Sequence, residues 1–70
     1  MIKVLVVDDH ELVRMGICRM LSDTSGIDVV AQVDSGEAAI DFVRKSCPDV
    51  VLLDVNMPGI GGVETTRRLL

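Results

Sequence analysis

Apolar and polar positions along the 70-residue chain switch between two periods, one suited to buried strands and one to amphipathic helices. Lys3 to Val7 is a short apolar run, the pattern of a strand buried on both faces of a parallel sheet. From Glu11 to Leu21, the residues Val13, Ile17, Met20 and Leu21 recur at helical spacing and predict one apolar stripe. Gly16 inside that helix costs about 1 kcal/mol relative to alanine. The cluster Ser22-Asp23-Thr24-Ser25-Gly26 stops it. Asp28 to Val33 predicts a second strand. Ser35 then stands as an N-cap, with Glu37 in the first turn, where the helix dipole favours an anion. This second helix runs to Ser46 with Ala39, Ile40 and Val43 inward, and Pro48 ends it. Val50 to Leu53 predicts the third strand, Asn56 to Gly62 an irregular loop, and Val63 to Leu70 a third helix. On that last helix Val63, Thr66, Arg67 and Leu70 share one side.

The order β-α-β-α-β-α, with right-handed crossovers, predicts an α/β fold: a parallel sheet flanked by helices. Seventy residues allow one domain with a proportionally small core. The composition, 49% apolar with Phe42 as its one aromatic residue, suits that class. A net charge of -4 argues against nucleic acid or an anionic membrane as partner of this segment. The adjacent basic pairs, Arg44-Lys45 and Arg67-Arg68, read as solvated helix faces. No secretory signal is evident, and no apolar stretch reaches the roughly 18 residues of a membrane span. Cys18 and Cys47 form no Cys-x-x-Cys pattern and read as buried free thiols on helices. These features predict a cytoplasmic protein.

The candidate chemistry lies at strand ends. Asp8 and Asp9 follow the first strand, and Asp54 ends the third. In a parallel sheet all three meet at the carboxyl edge, where open α/β sheets bind ligands. Carboxylates converging there repel one another, and either shift their pKa values or hold a cation. Mg²⁺ favours octahedral oxygen coordination. Asp9 and Asp54 can ligate it directly, Asp8 can act through a water, and Asn56 sits at the right reach to add a backbone carbonyl. A carboxylate beside bound Mg²⁺ can also attack phosphorus to form an aspartyl phosphate. Asp54 is the better nucleophile candidate, standing alone before a glycine-rich loop. The competing reading is that strand-end aspartates only cap turns and helices; three at two matching strand ends weigh against it.

Other motifs fail on the residues. A dinucleotide site needs Gly-x-Gly-x-x-Gly after the first strand, where this chain has Asp8-Asp9-His10. No P-loop occurs. The run Asp54-Val55-Asn56-Met57-Pro58-Gly59 starts like an EF-hand loop but carries Pro58 at its fifth position and Thr65 at its twelfth. A phosphatase of the Asp-x-Asp-x-Thr type needs a second acid where Asn56 stands. His10 reads as a solvent-facing residue at the start of the first helix, because nothing nearby in sequence orients it as a base.

Val6-Val7-Asp8-Asp9-His10 with Leu12-Val13-Arg14, followed by Pro48 through Gly59, resembles the receiver domain of bacterial two-component response regulators. The Asp-Asp-His-x-Leu-Val-Arg form, with Met57-Pro58-Gly59-Ile60-Gly61-Gly62-Val63-Glu64, is similar to the branch with a LuxR-type helix-turn-helix domain, the GacA/UvrY-like regulators. The resemblance implies Asp54 as phosphoacceptor from a sensor histidine kinase. It implies Asp8 and Asp9 as the acidic pair, and the Asn56 carbonyl as third protein ligand to Mg²⁺. It implies a flavodoxin-like fold of strand order 2-1-3-4-5, of which residues 1–70 supply 2-1-3 as the N-terminal part. The later strands, a Ser or Thr and a Lys that complete the family's site, and the DNA-binding domain have no counterpart in this sequence. Those absences predict impaired phosphoryl transfer, and self-association as a homodimer or domain-swapped oligomer. A phosphorylation-independent interaction module is the alternative, and a metal-dependent hydrolase a weaker third.

Overall fold

The computed structural model describes residues 1–54 and 61–70. Its elements are β1 (Ile2–Val7), α1 (Glu11–Ser22), β2 (Ile27–Val33), α2 (Gly36–Lys45), β3 (Val50–Leu53) and α3 (Gly61–Leu69). The three strands form one parallel sheet, as the sequence pattern predicts, in the order β2-β1-β3 that the family resemblance implies.

The central strand explains the packing. Side chains alternate across a strand, so β1, apolar at every position from Val4 to Val7, feeds two cores at once. Leu5 and Val7 point to one face and pack with Ala39 and Phe42 of α2 and with Val51 and Leu53 of β3. Val4 and Val6 point to the other and pack with Ile17, Cys18 and Leu21 of α1. Each fully buried side chain of this size stabilises the fold by about 1.5–3 kcal/mol.

Local signals fix where elements start. Ser35 caps α2, its Oγ accepting from the Ala38 N–H at 3.1 Å. Gly26 adopts φ +88°, a left-handed conformation that suits glycine, and its carbonyl accepts from the Ile2 N–H at 2.8 Å. Asp49 pins the opening of β3 to β1: its N–H donates to the Lys3 carbonyl, and its Oδ2 accepts from the Lys3 N–H, both at 2.8 Å.

Three expectations need correction. On α1, Ile17 and Leu21 face inward with Cys18, whereas Val13 and Met20 are exposed. The helix turns its Ile17-Cys18-Leu21 side to the sheet, where these residues pack with Val4 and Val6, and Arg14 on the same side donates to the Asp8 carbonyl just past β1. The third helix begins at Gly61, inside the expected loop, and buries Gly62 and Thr65 rather than the Val63 side. Glycine has no side chain to exclude, and the Thr65 hydroxyl donates to the Gly61 carbonyl at 2.6 Å, so this polar face can pack against α2. Val63 is left 77% exposed. Cys18 is buried as expected, but Cys47 lies beyond α2 and is exposed, because the helix has already ended at Lys45.

Candidate functional site

Backbone pairing brings the acids together. The register aligns Val7 with Val33 of β2 and with Leu53 of β3. The ladder continues one step further: the Asp8 N–H donates to the Val33 carbonyl at 3.1 Å, and the Asp54 N–H donates to the Val7 carbonyl at 3.0 Å. Asp54 thus stands beside Asp8 at the carboxyl edge of the sheet. One carboxylate oxygen each from Asp8, Asp9 and Asp54, with a ring nitrogen of His10, all lie within 4.8 Å of one another. Asn56 falls outside the described residues.

The three acids differ in environment. The Asp8 side chain is only 9% exposed, Asp9 26% and Asp54 24%. Asp8 Oδ1 accepts from the His10 backbone N–H at 2.8 Å, and the Asp8 carbonyl accepts from Arg14 Nη1 at the same distance. Arg14 Nε also donates to Gln32 at 3.1 Å, tying α1 to β2. Asp9 Oδ1 is buried and, among the described residues, receives no hydrogen bond. It stands 3.1 Å from His10 Nδ1, an ion-pair distance without hydrogen-bond alignment.

His10 is what the sequence reading missed. Its side chain is 63% exposed, as expected, yet Nδ1 lies 3.1 Å from both Asp8 Oδ1 and Asp9 Oδ1 and 3.6 Å from Asp54 Oδ2. The hydrogen bond to Asp8 and the charge of Asp9 raise the imidazole pKa above its ordinary value. The available signal was its place: the N-cap of α1, directly after two acids, with extended backbone.

The donor set tests what the site can hold. Its acidic oxygens, one of them buried and without a donor among the described residues, suit a hard divalent cation such as Mg²⁺. An anion or a dinucleotide would meet repulsion instead.

Residues 4–70 match the family model described as the response regulator receiver domain. The chain belongs to that family. It is 64% identical over 70 residues to response regulator GacA of Pseudomonas syringae pv. syringae, covering 100% of this chain and 33% of that protein. Against response regulator UvrY of Escherichia coli the identity is 56% over 69 residues, covering 99% of this chain and 32% of that one. A LuxR-family two-component response regulator from Aurantimonas sp. superposes with a TM-score of 0.90 at 37% identity, over 96% of this chain and 48% of that chain. The receiver-domain chain therefore spans about a third of the length of the curated relatives it matches. No helix among the described residues is long and apolar enough to cross a membrane.

Proposed function

We propose that this receiver domain is the phosphoacceptor of a two-component transcriptional regulator. Asp54 accepts a phosphoryl group from a sensor histidine kinase, and Mg²⁺ is held by Asp8, Asp9, Asp54 and the backbone carbonyl of Asn56. The observation that carries this reading is the convergence of three carboxylates from two parallel strands, one of them with a buried oxygen that has no donor among the described residues.

In the transfer, a carboxylate oxygen of Asp54 forms a bond to phosphorus while the phosphorus–nitrogen bond to the kinase imidazole breaks. The electron pair returns to that ring nitrogen. Bound Mg²⁺ supplies the positive charge that offsets repulsion between the carboxylate and the phosphoryl oxygens. Arg14 and the His10 N–H hold Asp8 in place from both of its polar ends. The chain acts as a stoichiometric acceptor in the cytoplasm rather than as a turnover enzyme. Residues 1–70 are the N-terminal part of the receiver, and DNA is contacted through a C-terminal helix-turn-helix domain.

Incubation with a small acyl phosphate tests the chemistry directly. Mass spectrometry should show a slow, incomplete gain of one phosphoryl group in the presence of Mg²⁺, as impaired transfer predicts, and none after chelation. Asp54→Asn should abolish the gain. No labelling at all, or labelling that survives Asp54→Asn, overturns the proposal.

A further inference from the structure

His10 Nδ1 stands among the same oxygens that the proposed Mg²⁺ would take, 3.1 Å from Asp8 Oδ1 and from Asp9 Oδ1 and 3.6 Å from Asp54 Oδ2. An ionised carboxylate only accepts hydrogen bonds, so the nitrogen in contact with Asp8 carries the hydrogen. A ring nitrogen in that state has no lone pair for a metal. Mg²⁺ moreover selects oxygen over imidazole. Ring and ion therefore compete for the same oxygens.

We propose that the His10 side chain is a built-in competitor for the divalent cation, occupying the acidic site until Mg²⁺ displaces it. The inference rests on the reading of this cluster as a Mg²⁺ site. The arrangement favours exchange over permanent closure. The His10 backbone is anchored, its N–H bonded to Asp8 Oδ1 at 2.8 Å, while its side chain is 63% exposed and makes no capping bond to α1. The ring can turn outward into solvent without disturbing the helix or the core. Its exit frees Asp8 Oδ1 of one contact and uncovers Asp9 Oδ1, the oxygen that receives no hydrogen bond among the described residues. Consequently, the apparent Mg²⁺ affinity of the domain includes the work of breaking the imidazole contacts.

The test is Mg²⁺ titration by calorimetry on the full chain and on its His10→Ala and Asp9→Asn variants, with the His10 ring resonances followed by NMR in the unsubstituted chain. Loss of one or two net hydrogen-bonding contacts corresponds to Mg²⁺ binding about three- to tenfold tighter in His10→Ala. The ring signals should shift toward those of a solvated histidine in step with site occupancy. Equal affinity in His10→Ala overturns the competition. Weaker affinity overturns it too, since it would make the ring a ligand. If neither the unsubstituted chain nor His10→Ala binds Mg²⁺, the metal reading itself fails. If both bind but Asp9→Asn binds equally well, the ion sits elsewhere and the competition fails with it.

Discussion

At the scale of single residues, the acidic edge keeps three like charges close together, and Asp9 is the one least compensated. Its buried oxygen receives no hydrogen bond among the described residues, and its negative neighbours lie within 4.8 Å. Like charges at that spacing repel by a few kcal/mol at most near a protein surface, and by less where solvent and a nearby imidazole screen them. Asp9→Asn should therefore stabilise the metal-free chain by about 1 kcal/mol while removing its response to Mg²⁺. Urea unfolding with and without Mg²⁺ checks both parts: added ion should raise the midpoint of the unsubstituted chain and leave the variant unmoved. A variant less stable than its parent in metal-free buffer would refute this view of Asp9. The trio itself was legible in the sequence, because strand ends can be read from where an apolar run stops. The contacts of His10 and Arg14 were not. They depend on how α1 leaves β1 and on side-chain rotamers, which hydrophobic periodicity does not encode.

At the scale of elements, α3 carries a charge arrangement that responds to acid. Glu64 accepts from Arg67 at 2.6 and 3.0 Å and from Arg68 at 2.8 Å, one turn further along the same helix. These bonds, Arg67 first, lower the Glu64 pKa to about 2 from its ordinary 4.5. A depressed carboxylate stabilises the folded helix at pH values above its unfolded pKa, and that contribution is lost as pH falls through the folded one. The window is thus between pH 4.5 and about 2. Carboxyl NMR should give a Glu64 midpoint below its ordinary 4.5, and Glu64→Gln should remove the α3-specific loss in that window. The exposed setting makes the effect weak and salt-sensitive. This charged face also explains why the register of α3 was misread. Val63 and Leu70 look like an apolar stripe, but the helix needs its small side, Gly62 and Thr65, to lie against α2. On α1 the exposed Val13 and Met20 misled in the same way. The strands were read well because a central parallel strand is apolar on both faces and no choice of face is involved.

At the scale of the whole molecule, the sheet is uneven in what it covers. Its order β2-β1-β3 leaves β3 with one partner among the described residues. On that strand Val50 and Leu52 remain 42% and 40% exposed. Beside them a cleft of about 370 Å³ opens between Ile17 of α1 and Leu52 and Leu53 of β3, running up to Asp8 and Asp54. An apolar edge strand with unpaired backbone groups is a template for another strand, and apolar side chains next to it add a driving force of about 25 cal/mol per Å² buried. A second copy of the chain presents the same edge and the same cleft, so pairing through β3 satisfies both partners by symmetry. The 70-residue chain should therefore form a concentration-dependent dimer or exchange elements between copies. Light scattering across the micromolar range measures this, and a compact monomer throughout would count against it. Leu52→Lys should shift the equilibrium toward monomer, because a charge at the edge opposes strand addition without entering the core. The cleft reaches Asp54, so such pairing would also restrict access to the acidic edge, and Leu52→Lys should accelerate acyl phosphate labelling of Asp54 at concentrations where the parent chain is paired.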